Sequence, residues 1–223
     1  MELKEMSRLL RLENNPIIVR LEDEPPSRRR RFMGYAPASC SFWRLGIDSE
    51  FYTSDVDHNC NIGKVTHGLR EVDEVKENDD VKLLTSIGWI SIEDLSKLPR
   101  LPRKAAISYI PVDMLEDAGL GNEDIITLFC NAEQVMLVVD AAERAGIEYK
   151  IRSRPTCAIL GEAYSIKGIV IGLGCTPSRL RTPYSANDLF VAIHASIVGR
   201  FIEHLRQVVK VEEYLQANKA MLV

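Results

Sequence analysis

The sequence predicts an α/β (or α+β) protein: a mixed β-sheet flanked by helices and finished by a long C-terminal helix. Three observations carry this. Short β-branched runs recur along the chain, segments with helical spacing separate them, and several of those segments open on helix-capping residues. Interleaving at this spacing favours a mixed sheet over a purely parallel one.

Residues 2–12 place Leu3, Met6, Leu9 and Leu10 at helical spacing, with Glu2 and Glu5 early and Arg8 and Arg11 late, as the helix dipole prefers. Asn14-Asn15-Pro16 ends that helix, and Ile17-Ile18-Val19 starts a buried strand. Residues 22–31, acidic and then basic around Pro25-Pro26, cannot bury themselves and form a charged surface loop whose two charge blocks partly pair. Ser91 and Asp94 cap a short helix that must stop before Pro99.

Ala105–Ile110 and Ile125–Phe129 are the next expected strands. Asn131 and Gln134 then cap a helix whose stripe of Val135, Val138, Val139 and Ala142 runs to Gly146. Ile147–Ile151 and Ile169–Leu173 supply further strands. Ser185, with Asp188 three positions on, is expected to open the final helix, which carries Leu189, Ile193, Ile197, Phe201 and Leu205 on one face. It either continues or breaks near Lys210. No Gly/Ser linker divides residues 1–223, so one domain is expected, with two lobes of similar design as the alternative. Pro37-Ala-Ser-Cys40 followed by Cys60 faintly echoes Pro155-Thr-Cys157 followed by Cys175, and chance explains the echo about as well as duplication.

Composition excludes several classes. With 46% hydrophobic and 27% charged residues and a net charge of −4, the chain is an ordinary globular one, neither disordered nor fibrous. Its longest apolar runs fall far short of the ~20 residues a bilayer span needs, so no membrane segment is expected. The N-terminus alternates charged and apolar residues and carries no secretory pattern, which places the protein in the cytoplasm. An acidic balance argues against nucleic-acid binding, despite the local run Arg28–Arg31.

The five cysteines, Cys40, Cys60, Cys130, Cys157 and Cys175, are expected to be free thiols in that compartment. Cys60 lies in Asp57-His58-Asn59-Cys60-Asn61-Ile62-Gly63-Lys64-Val65-Thr66-His67, the densest polar cluster in the chain. If residues 60–67 are helical, Cys60, Lys64 and His67 share a face, and Lys64 would favour the thiolate, which is both nucleophile and metal ligand. Cys130 ends an apolar run and belongs to the core. Cys157 follows Pro155 at an expected helix N-terminus, and Cys175 follows the strand 169–173. Cys175-Thr-Pro-Ser-Arg-Leu-Arg181 has the Cys-x5-Arg spacing of enzymes that carry a phosphoryl group on cysteine, with Thr182 as the assisting hydroxyl. Against that, Pro177 and Pro183 remove amides an anion cradle needs, and helix signals begin only at Ser185. His194 and His204 sit in structural positions on the final helix, and Trp43 and Trp89, with Phe42 and Tyr52, act as packing anchors.

Asp57-His58-x-Cys60-x-x-Gly63-x4-Gly68-Leu69, preceded by Pro16–Arg20 and Cys40, resembles the uncharacterised prokaryotic family known as domain of unknown function 169. Asn131-x-x-Gln134-x-Met136, Cys157 and Gly174-Cys175 ahead of Arg179 follow that family's second half in the same order, although Pro177 stands where a Gly is usual. The resemblance covers about residues 16–208 and names no reaction. It implies that Cys40, Cys60, Cys157 and Cys175 are the family's cysteines and that Cys130 is not.

Three functional expectations follow. In the first, Cys40, Cys60, Cys157 and Cys175, with His58, gather around a metal centre, zinc or an iron–sulfur cluster, in a redox or ligand-binding role. In the second, Cys60 or Cys175 is the nucleophile of a cofactor-free thiol enzyme. In the third, the protein is a non-catalytic module that binds a small molecule or dimerises, its long final helix docking against a second copy.

Overall fold

The computed structural model describes residues 2–115, 119–182 and 184–219. Helix α1 (Glu2–Leu9) buries Leu3 and Met6 and leads into strand β1 (Ile17–Glu22), whose first three residues are buried. Glu22 is thus the end of a strand, and the charged loop begins after it. The charge blocks partly pair, with Arg29 3.4 Å from Glu22, while Arg29 and Arg31 also reach carboxylates outside them, Glu50 at 3.3 Å and Asp57 at 2.8 Å.

Next come α2 (Ser41–Leu45), β2 (Phe51–Thr53) and four short helices, α3 (Asn61–Thr66), α4 (Val72–Val75), α5 (Asp79–Ser86) and α6 (Ile92–Lys97). The last has the expected cap, with Ser91 Oγ accepting from Asp94 N, and it ends two residues before Pro99. Strands β3 (Ala106–Pro111) and β4 (Ile125–Cys130) are buried along their whole length, as contiguous apolar runs require. Helix α7 (Ala132–Ala145) has the reciprocal Asn131–Gln134 cap and ends at Gly146, whose φ of 60° is the left-handed conformation glycine adopts freely. Strand β5 (Tyr149–Arg152), helix α8 (Ala158–Ile166), β6 (Ile169–Gly172) and α9 (Thr176–Arg181) follow.

The chain then departs from the expected helix at Ser185. Residues Leu189–His194 form strand β7, and the final helix α10 starts at Val198 and runs unbroken past Lys210 to Ala217. Ser185 and Asp188 make a turn instead of a cap, with Asp188 Oδ2 accepting from Ser185 N. The reason lies in Phe190-Val-Ala-Ile193, which is buried on both faces between β4 and β6. The fourfold spacing of Leu189, Ile193 and Ile197 mimics a helix stripe, but every intervening residue up to His194 is apolar too, the mark of a central strand. His194 accordingly sits on β7 and not on the helix.

The sheet order is β2-β3-β1-β4-β7-β6-β5, antiparallel throughout except for the β5–β6 pair. One face packs on α1, α7 and α10 through residues such as Met6, Val138, Phe201 and Leu205. Each of these side chains, fully buried, contributes about 1.5–3 kcal/mol. The other face packs on α2 and α8, around Phe42, Trp43, Tyr109 and Ile159. A third cluster, inside α3–α6, is built on Ile62, Val65, Val81 and Leu95. Cys60 packs against both the second and the third clusters. Cys130 is buried at the end of β4 among the first cluster, as expected. No helix among the described residues is long and apolar enough to cross a membrane.

Candidate functional site

On the α2/α8 face, Cys40, Cys60, Cys157 and Cys175 all line one pocket, together with Trp89 and Arg181. Its volume is about 30 Å³, space for a water or two. Each cysteine immediately precedes a helix: Cys40 precedes α2, Cys60 α3, Cys157 α8 and Cys175 α9. Four helix N-termini therefore surround the sulfurs, and the partial positive charge there favours an anion.

Local hydrogen bonds fix these helix starts. Cys175 N donates to Thr156 Oγ1 at 2.7 Å, which ties the α9 start to the segment carrying Cys157. Ser178 Oγ donates to Cys175 O at 2.8 Å. Tyr184 Oη donates to the Cys40 carbonyl. Ser41 Oγ and Thr182 Oγ1 share a bond at 2.5 Å, so the Thr182 hydroxyl is engaged away from the Cys175 thiol that it was expected to assist.

Gly63 sets the approach of α3 to the Cys40 loop. A Cβ at this position would overlap the Ser39 side chain, so only glycine lets the helix after Cys60 come this close. Ser39 in turn bonds His58 Nδ1 at 2.8 Å, and Thr53 Oγ1 bonds His58 Nε2 at 2.9 Å. With both ring nitrogens engaged and the ring packed on Phe42, His58 stands outside the pocket lining, contrary to its expected place among the metal ligands. It holds the Cys40 and Cys60 loops together instead.

The electrostatics of the thiols also differ from expectation. Lys64 does not face Cys60; its ammonium lies 3.4 Å from Asp55. The cation that acts on Cys60 is Arg181, and together with the Gly63 N–H it opposes a larger effect of burial, so the thiol is raised overall. Burial lifts Cys40 well above the usual thiol range, with Cys157, Cys175 and Cys60 adding to it. Cys157 is raised by burial and then by Cys60, although it takes a hydrogen bond from Thr66. These three thiols keep their protons at neutral pH.

Helix α9 begins directly after Cys175, whereas helix signals were expected only from Ser185; Pro183 lies outside the described residues. Arg181, at the end of α9, thereby reaches the pocket that Cys175 lines. Trp89 packs against the third cluster as an anchor, as expected, and its half-buried ring also walls the pocket, while Trp43 is buried as expected. No local pattern marks Trp89, because it reaches the pocket only through the packing of the α3–α6 cluster.

Among the described residues, no group of three or more His, Cys, Asp and Glu side chains is placed to hold a metal ion. The sulfurs share a cavity without forming a ready coordination shell.

Fold and pocket together define a class: a mixed-sheet α/β protein in which four helix starts deliver cysteines to one cavity. The chain belongs to the uncharacterised ArCR family, domain of unknown function 169, whose model matches residues 5–204. This is the family that the Asp57–Leu69 segment resembles. No curated protein and no solved structure matches the chain.

Proposed function

We propose that the pocket takes up a soft metal ion, zinc or the iron of an iron–sulfur cluster, through Cys40, Cys60, Cys157 and Cys175. The observation that carries this reading is that four cysteines from four separate segments line one small cavity. Thiolates are the ligands soft metals select. Four of them carry a negative charge that needs compensation, and the Arg181 guanidinium and the four helix N-termini supply it. Binding requires the sulfurs to rearrange around the metal and give up their protons, so uptake depends on pH and releases protons. Such a centre would supply redox or Lewis-acid chemistry; the chain's own part is to hold the thiolates, offset their charge and keep the cavity narrow.

Anaerobic purification followed by iron, zinc and acid-labile sulfide analysis tests the reading. The expected result is bound metal that is lost in Cys60→Ser and in Cys157→Ser, with the fold retained by circular dichroism. A metal-free protein that binds neither added zinc nor reconstituted iron and sulfide, and whose four thiols alkylate freely, overturns it.

A second reading, cofactor-free thiol chemistry, has its own observation: Cys60 is the least buried of the cysteines and lines the pocket together with Arg181. It requires one thiol far more reactive than the others in metal-free protein, with an apparent pKa below ~8.

A further inference from the structure

A groove of about 310 Å³ adjoins the cysteine pocket and shares Trp89 with it. Its walls include Asp94, Lys97 and Leu98 on the α6 side, and Arg152 and Arg154 at the end of β5. Its other charged side chains already have partners. Lys97 Nζ lies 2.5 Å from Glu93, Arg152 Nε lies 2.6 Å from Glu162, and Asp94 Oδ2 accepts from the Ser91 hydroxyl at 2.7 Å. Arg154 is the exception. Its side chain has neither a carboxylate nor a hydrogen-bond partner among the described residues, and its guanidinium lies 6.0 Å from the centre of the Trp89 ring.

A guanidinium is planar and permanently charged, and its N–H fork matches a phosphate or carboxylate with two parallel bonds. Placed beside an indole, it presents a charged donor next to a flat apolar wall. At about 310 Å³ the groove falls at the small end of the range for small-molecule sites, which suits a single-ring ligand. We infer that this groove binds a small anionic ligand, a phosphate or carboxylate joined to a flat apolar body, with Arg154 gripping the anion and Trp89 and Leu98 covering the ring. A ligand there lies alongside the cysteine pocket, with Trp89 between them. The inference does not depend on metal in the pocket.

Phenyl phosphate is the first probe, benzoate the second, and inorganic phosphate and benzyl alcohol represent the two halves of the ligand. Binding is read from tryptophan emission on protein before and after chelation. Trp89→Phe identifies the responding ring, since Trp43 is only 1% exposed. The expected result is that phenyl phosphate or benzoate perturbs Trp89 emission in a salt-sensitive way and binds about tenfold tighter than either half. The better of the two probes shows whether the anion is a phosphate or a carboxylate. Arg154→Gln should weaken that binding about tenfold with no change in melting temperature, whereas Arg103→Gln, at an exposed site outside the groove, should leave it intact.

Absence of any response to phenyl phosphate and benzoate overturns the inference. So does equal binding by inorganic phosphate, or full affinity in Arg154→Gln. None of these results bears on the cysteine site, whose test reads metal content in Cys→Ser variants.

Discussion

Ser39 sits between Gly63 and His58: its side chain fills the space a Cβ at Gly63 would need, and its hydroxyl bonds His58 Nδ1 at 2.8 Å. One small residue therefore sets both the approach of α3 and the hold on the histidine that joins the Cys40 and Cys60 loops.

Gly63→Ala should destabilise the protein by about 1–3 kcal/mol, the usual cost of forcing a methyl group into a packed interior. Urea denaturation measures it. The same variant should expose Cys60 to alkylation faster than wild type, because α3 has to move away from Ser39. An unchanged midpoint together with an unchanged Cys60 rate would show that the contact relaxes freely.

Stability should fall as pH drops from about 6.5 towards 4. Burial pushes His67 from its ordinary 6.5 down to about 4, its ring 5.3 Å from that of His58. In that window the unfolded imidazole takes up a proton that the folded one refuses, so the stabilisation is complete above pH 6.5 and is lost on acidification. For His67 alone the loss is about 3 kcal/mol by pH 4. Asp55, held below the usual carboxylate range by Arg70, adds its own loss only at still lower pH. His67→Gln should make the slope between pH 4 and 6.5 shallower, leaving the part due to His58, which burial also holds well below its ordinary value, and chemical denaturation across that range can read the difference.

Alkylation should follow burial. Cys60, alone among the cysteines in being only partly buried, should label first in metal-free protein, and Cys130 last. Burial pushes the Cys130 thiol up to about 12, and it lies in the core on the opposite face of the sheet. Mass spectrometry of quenched time points gives the order. Bound metal should protect Cys60 and leave the Cys130 rate unchanged; metal that protects neither would count against the proposed ligand set.

Asn131→Ala should cost about 1 kcal/mol by thermal or urea melting. The Asn131 side chain accepts from Gln134 N at 2.9 Å, and Gln134 Oε1 accepts from Asn131 N at 2.8 Å, so the substitution leaves the first turn of α7 without half of its reciprocal cap.

What could be read from the letters was local. Ser91 with Asp94, Asn131 with Gln134, and Gly146 are short-range devices, and the helices they bound formed where expected. The β-branched runs at Ile17, Ile125 and Ile169 became strands because they have nowhere to go but the interior. Leu189–His194 was misread because both of its faces are buried, which removes the alternation that marks a half-exposed strand. At the site, the cysteines were legible as residue types, but only Cys157 was expected just before a helix; the helices after Cys40, Cys60 and Cys175 were not foreseen. Their partners were not legible: Lys64 turned to Asp55 across a three-dimensional contact, while Arg181 reached the pocket from over a hundred residues beyond Cys60. No spacing rule encodes either.

The placement of β7 has a consequence for biosynthesis. It is the strand that joins β4 to β6, so until residues 189–194 leave the ribosome the β2-β3-β1-β4 ribbon and the β5–β6 pair have no shared ladder. Cys40 and Cys60 travel with the first of these, Cys157 and Cys175 with the second. The quartet is therefore completed only when β7 is seated, and any cargo it takes must wait for residues 189–194 to emerge.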